Sequence, residues 1–349
     1  MIAIFDKHSI EEYSAFLKKK HLSLDIYYNP LFLTLDAEMQ KGELEIFTFL
    51  KSDFIFIYPF IKIPVPLNGF HKNLDISSPY GYCGPYANTK DFEFWHEAES
   101  NFLLHASKSK FVSEFCRYHY LFNQDKKFAI NCENLKNRSL VVLNLERTFD
   151  NIWVSEFSGK TRNLTRKLAK ENFQFESWET DASIEEFYQL YISTMDNAKA
   201  SSFYYFDLAF MKKLKSRLKE KLRLFRVIKD GTTYAASMFF IEGSTITYYL
   251  SARNTTHIKV AGNNFLLAKT VEWAVENKLK LFNFGGGLKN DVTDSLFKFK
   301  KNFSTEICPF YIGKRIHDPR TYKKICDYYI RENGAIAYEQ INHMVQFYR

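Results

Sequence analysis

In SIEEFYQLYISTMDNAK, residues 183 to 199, the apolar residues Ile184, Phe187, Tyr191 and Met195 recur three and four apart, the spacing of one helical face. Ser183, with Glu186 three residues on, has the form of a capping box that opens such a helix. DLAFMKKLKSRLKEK repeats the period through Leu208, Met211, Leu214 and Leu218, with Asp207 available as N-cap and lysines on the other faces. The period then drops to two. LRLFRVIKD, TTYAASMFFIEG and STITYYLSAR are β-like runs separated by Asp230-Gly231 and Gly243-Ser244, which are hairpin dipeptides, so an antiparallel meander is expected. A third helix, residues 263 to 277, turns Phe265, Ala268, Val271 and Val275 inward. LKLFNF reads as a further strand that ends in Gly285, Gly286 and Gly287. Asp294 is placed to cap a short helix with Phe299 and Phe303 on one side, and EICPFYIG closes the series as a strand.

The N-terminal half carries a similar order. SIEEYSAFLKKK, LEIFTFLKSD, FIFIYPFIKIPV, FEFWHEAESNFLLHAS and KFVSEFCRY echo it at an offset of about 175 residues, and Ser9-Ile10-Glu11-Glu12 matches Ser183-Ile184-Glu185-Glu186. The pattern predicts an α/β (α+β) chain of two tandem domains, 1–150 and 151–318, each a mixed, mostly antiparallel sheet flanked by helices, with a helical tail over 319–349. Between the halves, GKTRNLTRKLAKENF predicts a helix docked by Leu164 and Leu168. Arg162, Arg166 and Lys170 recur every fourth residue as a basic stripe, able to grip phosphates or to stand as a solvated face.

A length of 349 residues suits two cores, and 46% hydrophobic with 25% charged residues is the composition of a folded chain. The 35 Phe and 22 Tyr either line binding surfaces or reflect a bias in coding. The net charge of +8 favours an anionic partner such as tRNA, a sugar nucleotide, coenzyme A or a lipid diphosphate. Five widely spaced cysteines suit reduced thiols and fit no zinc pattern, so neither disulfides nor a metal is expected. The longest apolar run, Phe54 to Ile61, reads as a strand rather than a membrane span, and MIAIFDKHSIEE lacks the regions of a signal peptide; a cytoplasmic location is expected. The triple glycine lacks both the lysine-hydroxyl ending of a P-loop and the spaced glycines of a dinucleotide fold. No serine-histidine-acid arrangement can be assigned.

SPYGYCGPY (78 to 86), GKTRNLTRKLAKENF, MDNAKASSFYYF (195 to 206), YYLSAR with GNNFLLAKTVEWA, and FNFGGG followed by DSLFKFK occur in one order over residues 78 to 303. Together they resemble the FemABX-like branch of the GNAT acyltransferase superfamily, whose members transfer an aminoacyl or other acyl group onto an amine. The resemblance implies two GNAT-like domains and a donor cleft where ITYYLSAR and LKLFNFGG splay apart, with Gly285, Gly286 and Gly287 at its mouth. It follows that a side chain at Gly286 would intrude on the donor or clash with the local backbone. Backbone N–H groups near Tyr249 to Ser251 are expected to hold the acyl oxygen. Asp294 is the expected base, or only a helix cap; Tyr204, Tyr205 and Tyr249 shuttle protons or pack. Tyr80, Tyr82, Lys160, Arg162, Arg166, Ser251, Asn263, Asn264, Lys298 and Lys300 are the expected contacts to donor or acceptor. No tightly bound cofactor is implied. The donor is aminoacyl-tRNA or acyl-CoA, and the run KVAGNN, with Lys259 and Gly262, matches the pyrophosphate turn of CoA-dependent members incompletely. The acceptor that the resemblance implies is a nucleotide- or lipid-linked envelope precursor, a peptidoglycan peptide or an amino sugar, with peripheral contact to a membrane-bound precursor and no role for DNA expected. Two other readings stay open: a CoA-dependent sugar N-acyltransferase of polysaccharide biosynthesis, and a non-catalytic protein that binds tRNA or another nucleic acid.

Overall fold

The computed structural model describes residues 1–180, 182–289, 291 and 293–349. They form two compact units, one of Met1–Ser23, Tyr27–Asn137 and Pro309–Arg349, the other of Leu24–Ile26 and Arg138–Cys308. The chain begins β1 (Ile2–Asp6), α1 (Ile10–Lys19), α2 (Pro30–Met39), β2 (Glu43–Lys51), β3 (Phe54–Pro64), β4 (Leu74–Ser77), β5 (Tyr86–Ala87), α3 (Phe92–Lys108) and β6 (Phe111–Arg117). Next come β7 (Cys132–Asn144), α4 (Phe149–Ser155), α5 (Gly159–Lys170), β8 (Gln174–Ser177), α6 (Ser183–Asn197), α7 (Leu208–Leu218), β9 (Leu222–Lys229), β10 (Thr232–Glu242) and β11 (Thr245–Arg253). It ends with α8 (Gly262–Glu276), β12 (Leu281–Gly286), α9 (Ser295–Lys300), β13 (Ile307–Ile316), α10 (Pro319–Asn333) and α11 (Ala335–Ile341).

The sheet of the first unit runs β1-β2-β3-β4-β6-β13, antiparallel except where β4 lies parallel to β6. Its core explains much of the aromatic excess. Phe102 of α3 meets the rings of Phe47, Tyr58 and Phe60 edge-on at 5.7, 5.0 and 5.8 Å, an arrangement that suits their quadrupoles. Beside these rings lies an ionic network. Arg315, 2% exposed, pairs with Glu99 and with Glu114 at 2.9 Å, while Glu114 also accepts from the Tyr58 hydroxyl at 2.6 Å and meets His317 Nε2 at 2.9 Å. A buried charge survives only with such partners. The five cysteines are free, and Cys83 and Cys116 are buried. The C-terminal helices close a smaller cluster in this unit, around Val65, Val112, Ile325 and Phe347.

In the second unit the order is β7-β12-β11-β10-β9-β8, with β11 and β12 parallel and the other pairs antiparallel. The meander forms as the pattern requires: Asp230 and Gly231 both have positive φ, 48° and 74°, at the β9–β10 turn. Helices α5 and α8 pack together, and α6 lies against α7 and β11. Asp207 caps α7 by accepting from Phe210 N at 2.6 Å. Two local expectations are corrected. Ser183 does not cap α6; its hydroxyl accepts from Lys215 Nζ at 2.9 Å, and Ala182 takes the cap position without a side-chain bond. In α5 the fully buried face is Thr161, Thr165 and Leu168, with Leu164 only half-buried, so the helix docks on a narrower and more polar stripe than its leucines suggest. No helix among the described residues is long and apolar enough to cross a membrane.

Candidate active site

Strands β11 and β12 are in register only through Thr245↔Leu281, Ile246↔Phe282 and Thr247↔Asn283. Beyond that point each keeps its other neighbour: β11 follows β10 to Arg253, and β12 follows β7 through Gly285↔Val141 and Gly286↔Leu140. A gap therefore opens between two parallel strands. Irregular register sits on both sides of it, since Phe239 faces Tyr248 and Met238 faces Leu250, leaving Tyr249 as an extra residue, while β12 shifts between Asn283 and Gly285. Bulges bend and twist strands, which is the local cause of the parting. Gly285 makes the second bulge accessible, with φ at 76° and its N–H on Asn283 Oδ1 at 2.8 Å.

Several polar groups gather around the opening. Asn283, fully buried at the last paired position, has an amide Nδ2 without a hydrogen-bond partner. Lys300, at the end of α9, is only 7% exposed and donates to the Gly286 carbonyl at 2.8 Å, its ammonium 5.6 Å from the Tyr248 ring centre. Burial pushes that ammonium down to about 7, against the opposing pull of Asp294 and with help from Arg138. The Tyr248 phenol is raised by burial, so it stays protonated, near Ser251 and Ser237, whose hydroxyls are 3.1 Å apart.

The three glycines serve three different ends. A methyl group on Gly286 would meet Ser139 O and Arg138 Cδ at 3.0 Å, so it would press on β7, the clash with neighbouring backbone expected of a side chain there. A methyl on Gly287 would collide with the Asp294 carboxylate. Asp294 itself accepts from Phe297 N at 2.8 Å, Leu288 N at 3.0 Å and Lys289 N at 3.1 Å. Burial works to raise its pKa, but those N–H groups outweigh it and hold the carboxyl below its ordinary value. It is a helix cap that also ties the glycine loop, and it makes a poor base.

The other expected site residues scatter. Tyr249 packs its ring on Phe240, centres 4.2 Å apart, whereas its neighbour Tyr248 meets Lys300. Tyr205 is exposed and donates to Asp196 at 2.9 Å. Lys298 faces solvent while Lys300, two residues on, is buried. Arg162 donates to the carbonyls of Trp153, Val154 and Phe157, fastening the C-terminal end of α4. Lys160, Arg166 and Lys170 are exposed. Asn263 and Asn264 stand in the first turn of α8, and Asn263 Oδ1 is buried without a partner. Tyr80 and Tyr82 belong to the first unit. There Tyr80 N donates at 2.9 Å to Asp36, whose carboxyl burial raises to about 6, and Tyr82 meets Tyr27, Tyr120 and Phe310 edge-on. Sequence reasoning did not single out Tyr248, Asn283 or Arg138, which donates to the Gly287 carbonyl at 2.9 Å. The one signal for Asn283 was a lone amide between two phenylalanines in FNFGGG.

Residues 155–300 match the acetyltransferase (GNAT) domain model. No curated protein matches the sequence. Among solved structures, FemX covers 90% of this chain and 98% of its own, at 13% identity and a TM-score of 0.70. L-PGS from Bacillus licheniformis covers 90% of this chain and 94% of its own, at 16% identity and a TM-score of 0.57. A tandem GNAT protein from the clavulanic acid biosynthesis pathway covers 91% and 99%, at 6% identity and a TM-score of 0.50. The fold is thus that of the FemX-like, two-unit GNAT proteins.

Proposed function

We propose, for a chain that carries a GNAT acyltransferase domain within a FemX-like fold, that it transfers an aminoacyl or other acyl group to an amino group of a cell-envelope precursor. The observation that carries the reading is the gap between β11 and β12 with Lys300 buried beside it. The acyl carbon would sit in the gap and the amine would attack it directly, with no covalent acyl-enzyme. As the new C–N bond forms, the carbonyl oxygen gains charge, which backbone N–H groups of the β11 bulge and the Lys300 ammonium stabilise; one such donor is typically worth about 3 kcal/mol. When the C–O or C–S bond to the donor breaks, Lys300 gives the leaving oxygen or sulfur its proton and recovers one from the acylated nitrogen. A group titrating at about 7 populates both forms near neutrality, which is what this shuttle needs. Asp294 organises the loop that presents the Gly286 carbonyl to Lys300.

A second reading, with acyl-CoA as donor, is favoured by the start of α8. Ala261 supplies no side-chain cap there, so the Gly262 and Asn263 N–H groups are left to a pyrophosphate, while Asn264 N–H donates to the Ala261 carbonyl at 3.0 Å. The protein should be incubated with mixed aminoacyl-tRNAs and acyl-CoAs plus nucleotide- and lipid-linked envelope precursors, and the acceptors weighed by mass spectrometry. An acceptor heavier by one acyl group identifies both substrates. Salt-sensitive tRNA binding without any turnover would replace this reading by a non-catalytic one.

A further inference from the structure

In an unbroken strand Tyr248 and Ser251, an odd number of positions apart, would point to opposite faces. The bulge at Tyr249 adds one residue, so Tyr248, opposite Phe239, and Ser251, opposite Ser237, share one face of the sheet. The result is a held ring. Tyr248 stacks on Phe239 with ring centres 5.5 Å apart, and its hydroxyl end lies against Ser251 and Ser237, whose own hydroxyls are 3.1 Å apart. The Lys300 ammonium stands 5.6 Å from the centre of that ring.

Among the described residues Lys300 has one hydrogen-bond acceptor, the Gly286 carbonyl, and no carboxylate within ion-pair distance. An ammonium offers several donors and a full charge, so burial leaves this one short of partners. Of the charged groups around it, Asp294 at the start of α9 favours the ammonium and Arg138 of β7 opposes it. The Tyr248 ring on β11 makes up part of the shortfall, because the negative face of a π-system attracts a cation without burying a second charge. Building on the mechanism above, we propose that Tyr248 is a positioning residue for the reaction, its ring held beside Lys300 so that the buried amine carries its proton. It acts through Lys300 and takes no proton itself.

Lysine side-chain NMR of the whole protein, with the Lys300 signal assigned by its loss in Lys300→Met, reads the titration directly and needs no substrate. Tyr248→Leu should lower the midpoint by about 0.5–1.5 pH units, the worth of one cation–ring contact away from water. Tyr248→Phe keeps the ring and gives up only the hydroxyl, so its midpoint should stay near that of wild type. Trifluorophenylalanine in place of Tyr248 is nearly the same size as phenylalanine but has lost the negative face, and it should lower the midpoint as Tyr248→Leu does. That protein answers even where Tyr248→Leu does not fold. A midpoint that the fluorinated ring leaves in place or raises, or that Tyr248→Phe lowers as far as the fluorinated ring does, would overturn the proposal. A wild-type midpoint near 10.5 would remove the proton shuttle on which the proposal rests, whereas one near 7 that ignores the ring overturns the positioning role alone.

Discussion

Replacing Lys300 by methionine separates the cost of a buried amine from its use. In the folded protein the ammonium titrates at about 7 against an ordinary 10.5, a difference worth up to about 5 kcal/mol at roughly 1.4 kcal/mol per pH unit. The folded pKa lies below the unfolded one, so between these values the unfolded chain binds more protons and stability rises with pH. The penalty is complete below about pH 7 and absent above about pH 10.5. Methionine keeps most of the volume and carries no charge, but it leaves the Gly286 carbonyl without its donor, a loss of about 1–3 kcal/mol. The balance is a variant as stable as wild type or a few kcal/mol more stable at pH 6, with that advantage shrinking steadily as pH rises. Urea unfolding of both proteins across pH 6 to 10 measures it. Turnover, read with the donor and acceptor that product screening supplies, should fall by about 100-fold or more, the usual contribution of one acid–base group. Wild-type kcat/KM should also bend near pH 7 and the variant's should not. A Lys300→Met protein that loses stability at pH 6 and keeps its turnover would refute both halves of the reasoning.

Gly286→Ala should lower stability by about 1–3 kcal/mol through overpacking against Ser139 and Arg138, seen as a lower Tm, while activity per folded molecule stays near wild type. Arg162→Gln should cost about 2 kcal/mol by releasing the end of α4, whereas Arg166→Gln with Lys170→Gln should leave the Tm unmoved; equal effects would argue against the division. Glu114→Gln should destabilise by about 3–5 kcal/mol, since Arg315 loses a charged partner in a buried network. Burial opposes ionisation of Glu114, but Arg315 and His317 hold it at about 2 against an ordinary 4.5, so the stability it confers is present above about pH 4.5 and fades toward pH 2; acid unfolding of the variant should lack that component.

The second unit was legible because its helices are amphipathic and its strands are punctuated by turn dipeptides, so element order followed from period alone. Helix α2 was not. PLFLTLDAEM is apolar on most sides because Phe32, Leu33, Leu35, Asp36 and Ala37 are all buried, which leaves little periodic contrast. Its signal was local instead: Asn29 accepts from Leu31 N and Phe32 N, and Pro30 holds the first helical position. At the site, spacing showed which residues share a face but not what each one meets. Arg162 and Arg166 do lie four apart, yet one turns back onto three carbonyls and the other stacks on Trp153. Lys298 and Lys300 read alike in FKFK, and only the packing of a six-residue helix sends one to solvent and the other into the interior.

On the proposed mechanism that last difference decides the chemistry. A lysine in water is almost wholly protonated at neutral pH and makes a poor proton shuttle, while the same side chain at 7% exposure titrates where the reaction needs it. Asp294, the carboxylate that proximity to the glycines pointed to, accepts from three backbone N–H groups and is held below its ordinary value, which makes it the weaker base of the two. Its loop binding holds the turn from which the Gly286 carbonyl reaches Lys300, so on the proposed mechanism the acid fixes the loop and the fixed loop positions the amine. Asp294→Asn should therefore disturb the loop and shift the Lys300 pKa downward, since the carboxylate's charge favours the ammonium, and the bend in kcat/KM should move to lower pH with it. A profile that kept its bend while turnover fell would return Asp294 to a direct part in proton transfer.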